Sequence, residues 1–174
     1  MKKYLFILFL VCFLFTISFS QELSKEEKKK KNLLSVSLGY TYIPKGSSLE
    51  SEEATGIFVP SFGLDYFRRL HPRWEIGIMA DIELGEYVVF EKDLHREYAM
   101  LLTAMVNFNL TEHINLLAGG GMEFEKHKNL GIIRLGGEYV FKLPKTWVIS
   151  PGFFFDFKEG TDTWSLSVAI GKEF

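Results

Sequence analysis

The residues best suited to acid–base or metal chemistry in this chain are its four histidines and a large set of carboxylates. His71, His95, His113 and His127 fall in or beside four different connections, so no two share the short spacing of a metal-ligand pair. His95 stands two residues from Glu97, and His127 two residues from Glu125, as a base and its orienting acid would. A hydrolase would still need a nucleophile, and neither histidine has a serine within two positions. The single cysteine, Cys12, allows no intrachain disulfide and no thiolate cluster. Gly119, Gly120 and Gly121 open no helix, so they are not a phosphate cradle; close backbone packing or strand bending accounts for them better. The expectation is a protein without catalytic residues, metal or cofactor.

The remaining charges are patterned. Asp65, Glu75, Asp81, Glu83, Glu97, Glu123, Glu125, Arg134, Glu138, Asp156, Lys158 and Glu173 all fall on one face of alternating segments. On the inside of a closed barrel they would meet across a narrow lumen, with Arg134 and Lys158 among ten carboxylates. Charges so enclosed must pair and hydrogen-bond, which predicts a salt-bridged plug. The weaker alternative is a passive path for cations or small solutes along an acidic lumen.

Eight segments of period two carry this face. Their apolar positions are Leu34–Tyr42, Phe58–Tyr66, Trp74–Leu84, Tyr98–Phe108, Ile114–Phe124, Ile133–Phe141, Trp147–Phe157 and Trp164–Phe174, taking every second residue, with Lys172 breaking the last face close enough to the interface to snorkel. Connections at 68–73, 111–113 and 142–146 are short, those at 44–54 and 86–96 long and charged, and those at 126–130 and 159–163 modest. Short turns at one end and long loops at the other are the arrangement of a transmembrane barrel, with the turns in the periplasm. Closure also removes every sheet edge, as hydrocarbon demands. The fold class expected is all-β: an eight-stranded antiparallel up-and-down transmembrane β-barrel over residues 33–174.

Residues 1–20 (MKKYLFILFLVCFLFTISFS) read as a cleaved signal peptide: two lysines, an apolar run too short to span a bilayer, then Ser-Phe-Ser. Residues 21–32 (QELSKEEKKKKN) read as a flexible charged lead-in with no apolar face. The formal net charge is −2, and loss of the signal would leave 18 basic against 22 acidic side chains. Neither value favours nucleic acid as a partner.

A soluble barrel would show the same alternation with its faces exchanged, so a soluble periplasmic lipid-binding barrel is the other architecture to weigh. Three features favour the membrane. The apolar face is too rich in aromatic residues to fit inside eight strands, whereas the polar face is rich in glycine. Aromatic residues also gather near both strand ends, with Tyr66, Trp74, Phe108, Tyr139 and Trp147 at one and Tyr40, Tyr42, Tyr98, Phe155 and Trp164 at the other. Two such belts mark membrane interfaces. Finally, the last strand, WSLSVAIGKEF, ends on an apolar-face aromatic, Phe174.

With its leader, eight alternating strands and terminal Phe174, the chain resembles the small outer-membrane β-barrel proteins of Gram-negative bacteria. These form the broad superfamily that includes the OmpA membrane domain and the OmpX-like barrels. The stretch from Gly119 to Phe174, with its glycine-rich, Arg-bearing and Ser-Pro strands, resembles the ending of many members. The resemblance implies outer-membrane lipids as surroundings, the barrel-assembly machinery as a partner and Phe174 as the assembly signal. It specifies architecture far more than function. A structural or surface-interaction role follows, with residues 47–54 and 90–97 as outward loops that are either plainly solvated or a surface for an unknown ligand.

Overall fold

The computed structural model describes residues 30–48, 56–89, 94–126 and 128–174. The expected signal peptide, most of the charged lead-in, the centres of both long loops and His127 lie outside the described residues. Among the described residues there are twelve strands: β1 (Asn32–Ile43), β2 (Gly46–Ser47), β3 (Ile57–His71), β4 (Trp74–Glu83), β5 (Glu86–Val89), β6 (Leu94–Glu97), β7 (Met100–Asn109), β8 (Ile114–Phe124), β9 (Leu130–Tyr139), β10 (Phe141–Lys142), β11 (Trp147–Lys158) and β12 (Thr163–Glu173).

Eight of these close a ring. The order β11-β12-β1-β3-β4-β7-β8-β9 returns to β11 through an antiparallel β9–β11 ladder, and every neighbouring pair is antiparallel. This is an eight-stranded antiparallel closed barrel. At the short-turn end Asn32 and Phe174 exchange backbone hydrogen bonds of 3.0 and 2.8 Å. The turns there are tighter than the sequence suggests, because β3 runs on through Arg68–His71 and leaves only Pro72 and Arg73 before β4. After β10, a 3₁₀ turn over Pro144–Thr146 leads into β11.

The faces are decided by which side chains solvent or lipid can reach. Leu34, Val36, Leu38 and Tyr40 of β1 point outward, as do Phe58, Phe62, Leu64 and Tyr66 of β3 and Leu166, Val168 and Ile170 of β12. Ser35, Ser37, Thr41, Asp65, Glu75, Thr103, Asn107, Arg134, Asp156 and Ser165 are buried inside. A water-soluble barrel has the reverse arrangement, so this finding removes the soluble lipid-binding alternative. The outer coat matches hydrocarbon, in which apolar surface carries no hydration penalty.

Glycine makes room where strands approach most closely. A Cβ at Gly119 would fall on the carbonyl of Ala104, and one at Gly121 on the carbonyl of Leu102. Both positions face inward on β8, beside β7. Gly121→Val should therefore abolish or severely slow assembly, because the obstructing atoms are backbone and cannot rotate away. Loss of the heat-modifiable gel shift would report it, whereas Gly131→Val, with nothing within 4 Å of the added Cβ, should leave the shift intact.

The described ends of the long loops are not plain solvated coil. β2, β5 and β6 form a separate three-stranded sheet at the long-loop end. It packs over the barrel mouth through Ile43, Val59, Tyr87 and Val89, with Ile57 and Leu94 alongside. The described parts of 86–96, expected as a loop, are thus paired strands whose buried Tyr87 and Val89 cap the lumen.

Candidate functional site

The lumen is where the inward charges meet, and it is layered. At the short-turn end lies an open vestibule of about 740 Å³, lined among others by Asp65, Arg69, Glu75, Asn107 and Glu138. Arg69 bridges Glu75 at 2.9 Å and Glu173 at 3.1 Å. Asn107 Nδ2 donates to the other oxygen of Glu75 at 3.1 Å. Glu138 and Asp65 also face this space. Asp65 Oδ1 is buried and has no hydrogen-bond partner among the described residues.

The vestibule is a dead end. Phe67, Met79, Met105, Leu117 and Phe154 form an apolar cluster across the barrel. The Arg134 guanidinium lies 5.6 Å from the centroid of the Phe154 ring. Arg134 grips Asp156 with two parallel hydrogen bonds, 2.7 and 2.9 Å, and donates a third to Asp81. Planar guanidinium matches planar carboxylate, the strongest geometry available to an ion pair. Beside this clamp the remaining space is about 20 Å³, room for roughly one water.

A second network occupies the long-loop end. Lys158 Nζ stands 2.7 Å from Glu123 and 3.7 Å from Glu83. Arg96 Nε pairs with Glu123 at 2.9 Å, and its Nη1 reaches Glu125 at 3.3 Å and the Lys128 carbonyl. Tyr87, in the outer sheet, donates to Glu83 at 2.6 Å. Burial, reinforced by the carboxylates of Glu83 and Glu123, holds the Tyr87 phenol well above its ordinary pKa, so it remains a donor.

The inner-face residues read from sequence therefore fall into three levels: Asp65, Glu75, Glu138 and Glu173 at the vestibule, Asp81, Arg134 and Asp156 at the clamp, and Glu83, Glu123, Glu125 and Lys158 at the cap. Glu97 is the correction. It is exposed on β6, paired across the hairpin with Glu86, and Arg96 is the residue turned inward. The alternation slips because Tyr98 takes a left-handed backbone (φ 46°), leaving Glu97 and Tyr98 both outside and Ala99 inside. Arg69 joins the inner set although 68–73 reads as a turn, because β3 runs on through His71 and keeps its odd-numbered residues inward as far as Arg69. His95 is exposed on β6, and no cluster of three metal-ligating side chains occurs among the described residues.

Outside, aromatic contacts gather at both ends. Trp74 packs tilted on Phe108 with centroids 4.6 Å apart, and Tyr139 on Phe141 at 4.7 Å, by the short turns. At the long-loop end Tyr42, Phe58 and Trp164 form a trio with centroids 4.7 to 5.8 Å apart, and Phe155 packs on Phe157 at 4.7 Å. Tyr40, Tyr66, Tyr98 and Trp147 are exposed on the same outer surface.

No protein-family model matches the chain, and no curated protein matches it. Solved structures do. The attachment invasion locus protein Ail of Yersinia pestis aligns over 84% of this chain and 99% of its own, with 11% identity and a TM-score of 0.53. Neisserial surface protein A aligns over 82% and 97%, with 8% identity and a TM-score of 0.54. This chain has the fold of the small outer-membrane β-barrels. At such identities the likeness is one of architecture, and the outward apolar coat agrees with it. A lumen sealed at two levels leaves the outer surface, the long-loop end and the open short-turn vestibule as the parts able to meet other molecules.

Proposed function

We propose that this protein is a non-catalytic outer-membrane barrel with a structural or surface-interaction role. In this reading residues 1–20 are removed on export, the barrel-assembly machinery inserts the chain with Phe174 as its signal, and the outer sheet faces the cell exterior. The observation that carries the reading is the sealed lumen beneath a folded outer cap. The Arg134 clamp and the apolar cluster block a solute path, and the chain then spends its long loops on a built outer surface rather than on a pore rim. The same blockage weighs against the narrow cation channel.

Two measurements test the reading. The protein should fractionate with the outer membrane and migrate faster on gels before boiling than after; recovery in the soluble periplasm would overturn it. In planar bilayers the purified barrel should show no stable conductance steps. Reproducible cation-selective steps would favour the channel instead.

A further inference from the structure

Two cations at the short-turn rim have carboxylate partners. Arg69 turns inward to Glu75 and Glu173, and Lys142 reaches Glu112 at 3.7 Å. Arg68 and Lys172 do neither. Both project from the outward face, exposed, on β3 and β12, and neither forms an ion pair among the described residues. They flank the start of β1: Lys172 lies opposite Leu34, and Arg68 opposite Asn32. Two strand spacings, about 10 Å, and a two-residue offset of about 7 Å set their Cα atoms about 12 Å apart, within reach of two long side chains converging on one group.

The surroundings are built rather than bare. Lys172 Nζ lies 5.6 Å from the centroid of the Trp147 ring, its cross-strand neighbour. Tyr66, next along β3, donates to Asn32 Oδ1 at 2.9 Å. The nearby acid Glu173 is drawn inward by Arg69, so its carboxylate pairs with neither Arg68 nor Lys172. Leu34 is exposed between the cations and Phe174 is exposed at the edge, which supplies apolar surface for acyl chains. A cation on a lipid-facing wall is tolerated near the interface and gains most when an anionic headgroup meets it there.

We infer that Arg68 and Lys172, with Trp147 and Tyr66, form a binding site for the phosphate of an anionic phospholipid in the leaflet around the short-turn end. A zwitterionic lipid offers the same phosphate but brings its own ammonium, which the two cations repel. The inference rests on the membrane reading above, so the heat-modifiable shift is measured first on every variant: its loss reports a failed barrel, and only shifted protein tests the site.

The full barrel is folded into bilayers of phosphatidylglycerol and phosphatidylcholine with matched acyl chains, released in mild detergent, and its retained lipids are counted by native mass spectrometry. Phosphatidylglycerol should be retained over phosphatidylcholine by about tenfold. R68Q/K172Q should bring that preference close to unity, while K126Q/K128Q, with the same change in charge at the long-loop end, should leave it unchanged. Equal retention of the two lipids by the wild type would overturn the inference. So would a preference that survives R68Q/K172Q, or one that K126Q/K128Q removes equally. Stronger competition from lipid A, abolished by R68Q/K172Q, would place the phosphate source in the other leaflet and equally overturn it.

Discussion

Replacing Arg134 by methionine is expected to lower the unfolding free energy of the barrel by about 3–5 kcal/mol, the range for removing one partner of a buried ion pair. The side chains of Arg134 and Asp156 are only 4% and 3% exposed, and that of Asp81 17%. Without the guanidinium, two carboxylates remain close together in a lumen that offers roughly one water to solvate them. The triple variant D81N/R134M/D156N should recover most of the loss, because it removes the charges together with their partner. Urea unfolding in lipid vesicles, followed by tryptophan fluorescence, provides the measurement. A loss below about 1 kcal/mol, typical of an exposed pair, would show that the clamp is hydrated and does not seal the barrel.

Arg96→Met should act at the other end and more locally. Arg96 ties the outer sheet to the barrel, alongside the Tyr87–Glu83 bond, through Glu123, Glu125 and the Lys128 carbonyl. Its removal leaves Glu123 still paired with Lys158 at 2.7 Å, so the expected loss is about 2–3 kcal/mol, a range set by charged hydrogen bonds. Hydrogen exchange is the informative readout. Amides of β5 and β6 should lose roughly 30- to 100-fold in protection, while those of β7 and β8 change little, because the cap is a smaller cooperative unit than the closed ring. Uniform loss across all strands would mean that the cap and barrel unfold as one.

The fold was legible because the alternation had a physical cause on both faces. A residue such as Val36 meets the outer apolar coat while Ser37 faces a crowded interior, so the wrong side chain at either position is expensive. That constraint runs through all eight barrel strands. It fails where the constraint ends: above the membrane, 86–96 has no lipid face to obey, and its charges concealed the buried sides of Tyr87 and Val89. The phase error at Glu97 has the same origin. One left-handed residue, Tyr98, exchanges inside for outside, and nothing in the residue type of a tyrosine announces a positive φ.

The inner charges were legible as a set but not as pairs. Asp81 and Asp156 are 75 residues apart and meet only because β4 and β11 lie across the ring from each other, with Arg134 between. By itself the sequence determined that eight alternating strands would close, because strands with one apolar and one charged face leave no edge unpaired only in a barrel. It also determined which residues share a face, since a pleated strand allows two sides and no third. Only the tertiary structure decided which face is outside, because alternation is symmetric under that exchange. It alone decided, too, that the lumen is sealed, since closure of a narrow interior depends on which side chains arrive at the same height, and height is set by strand register rather than by residue type.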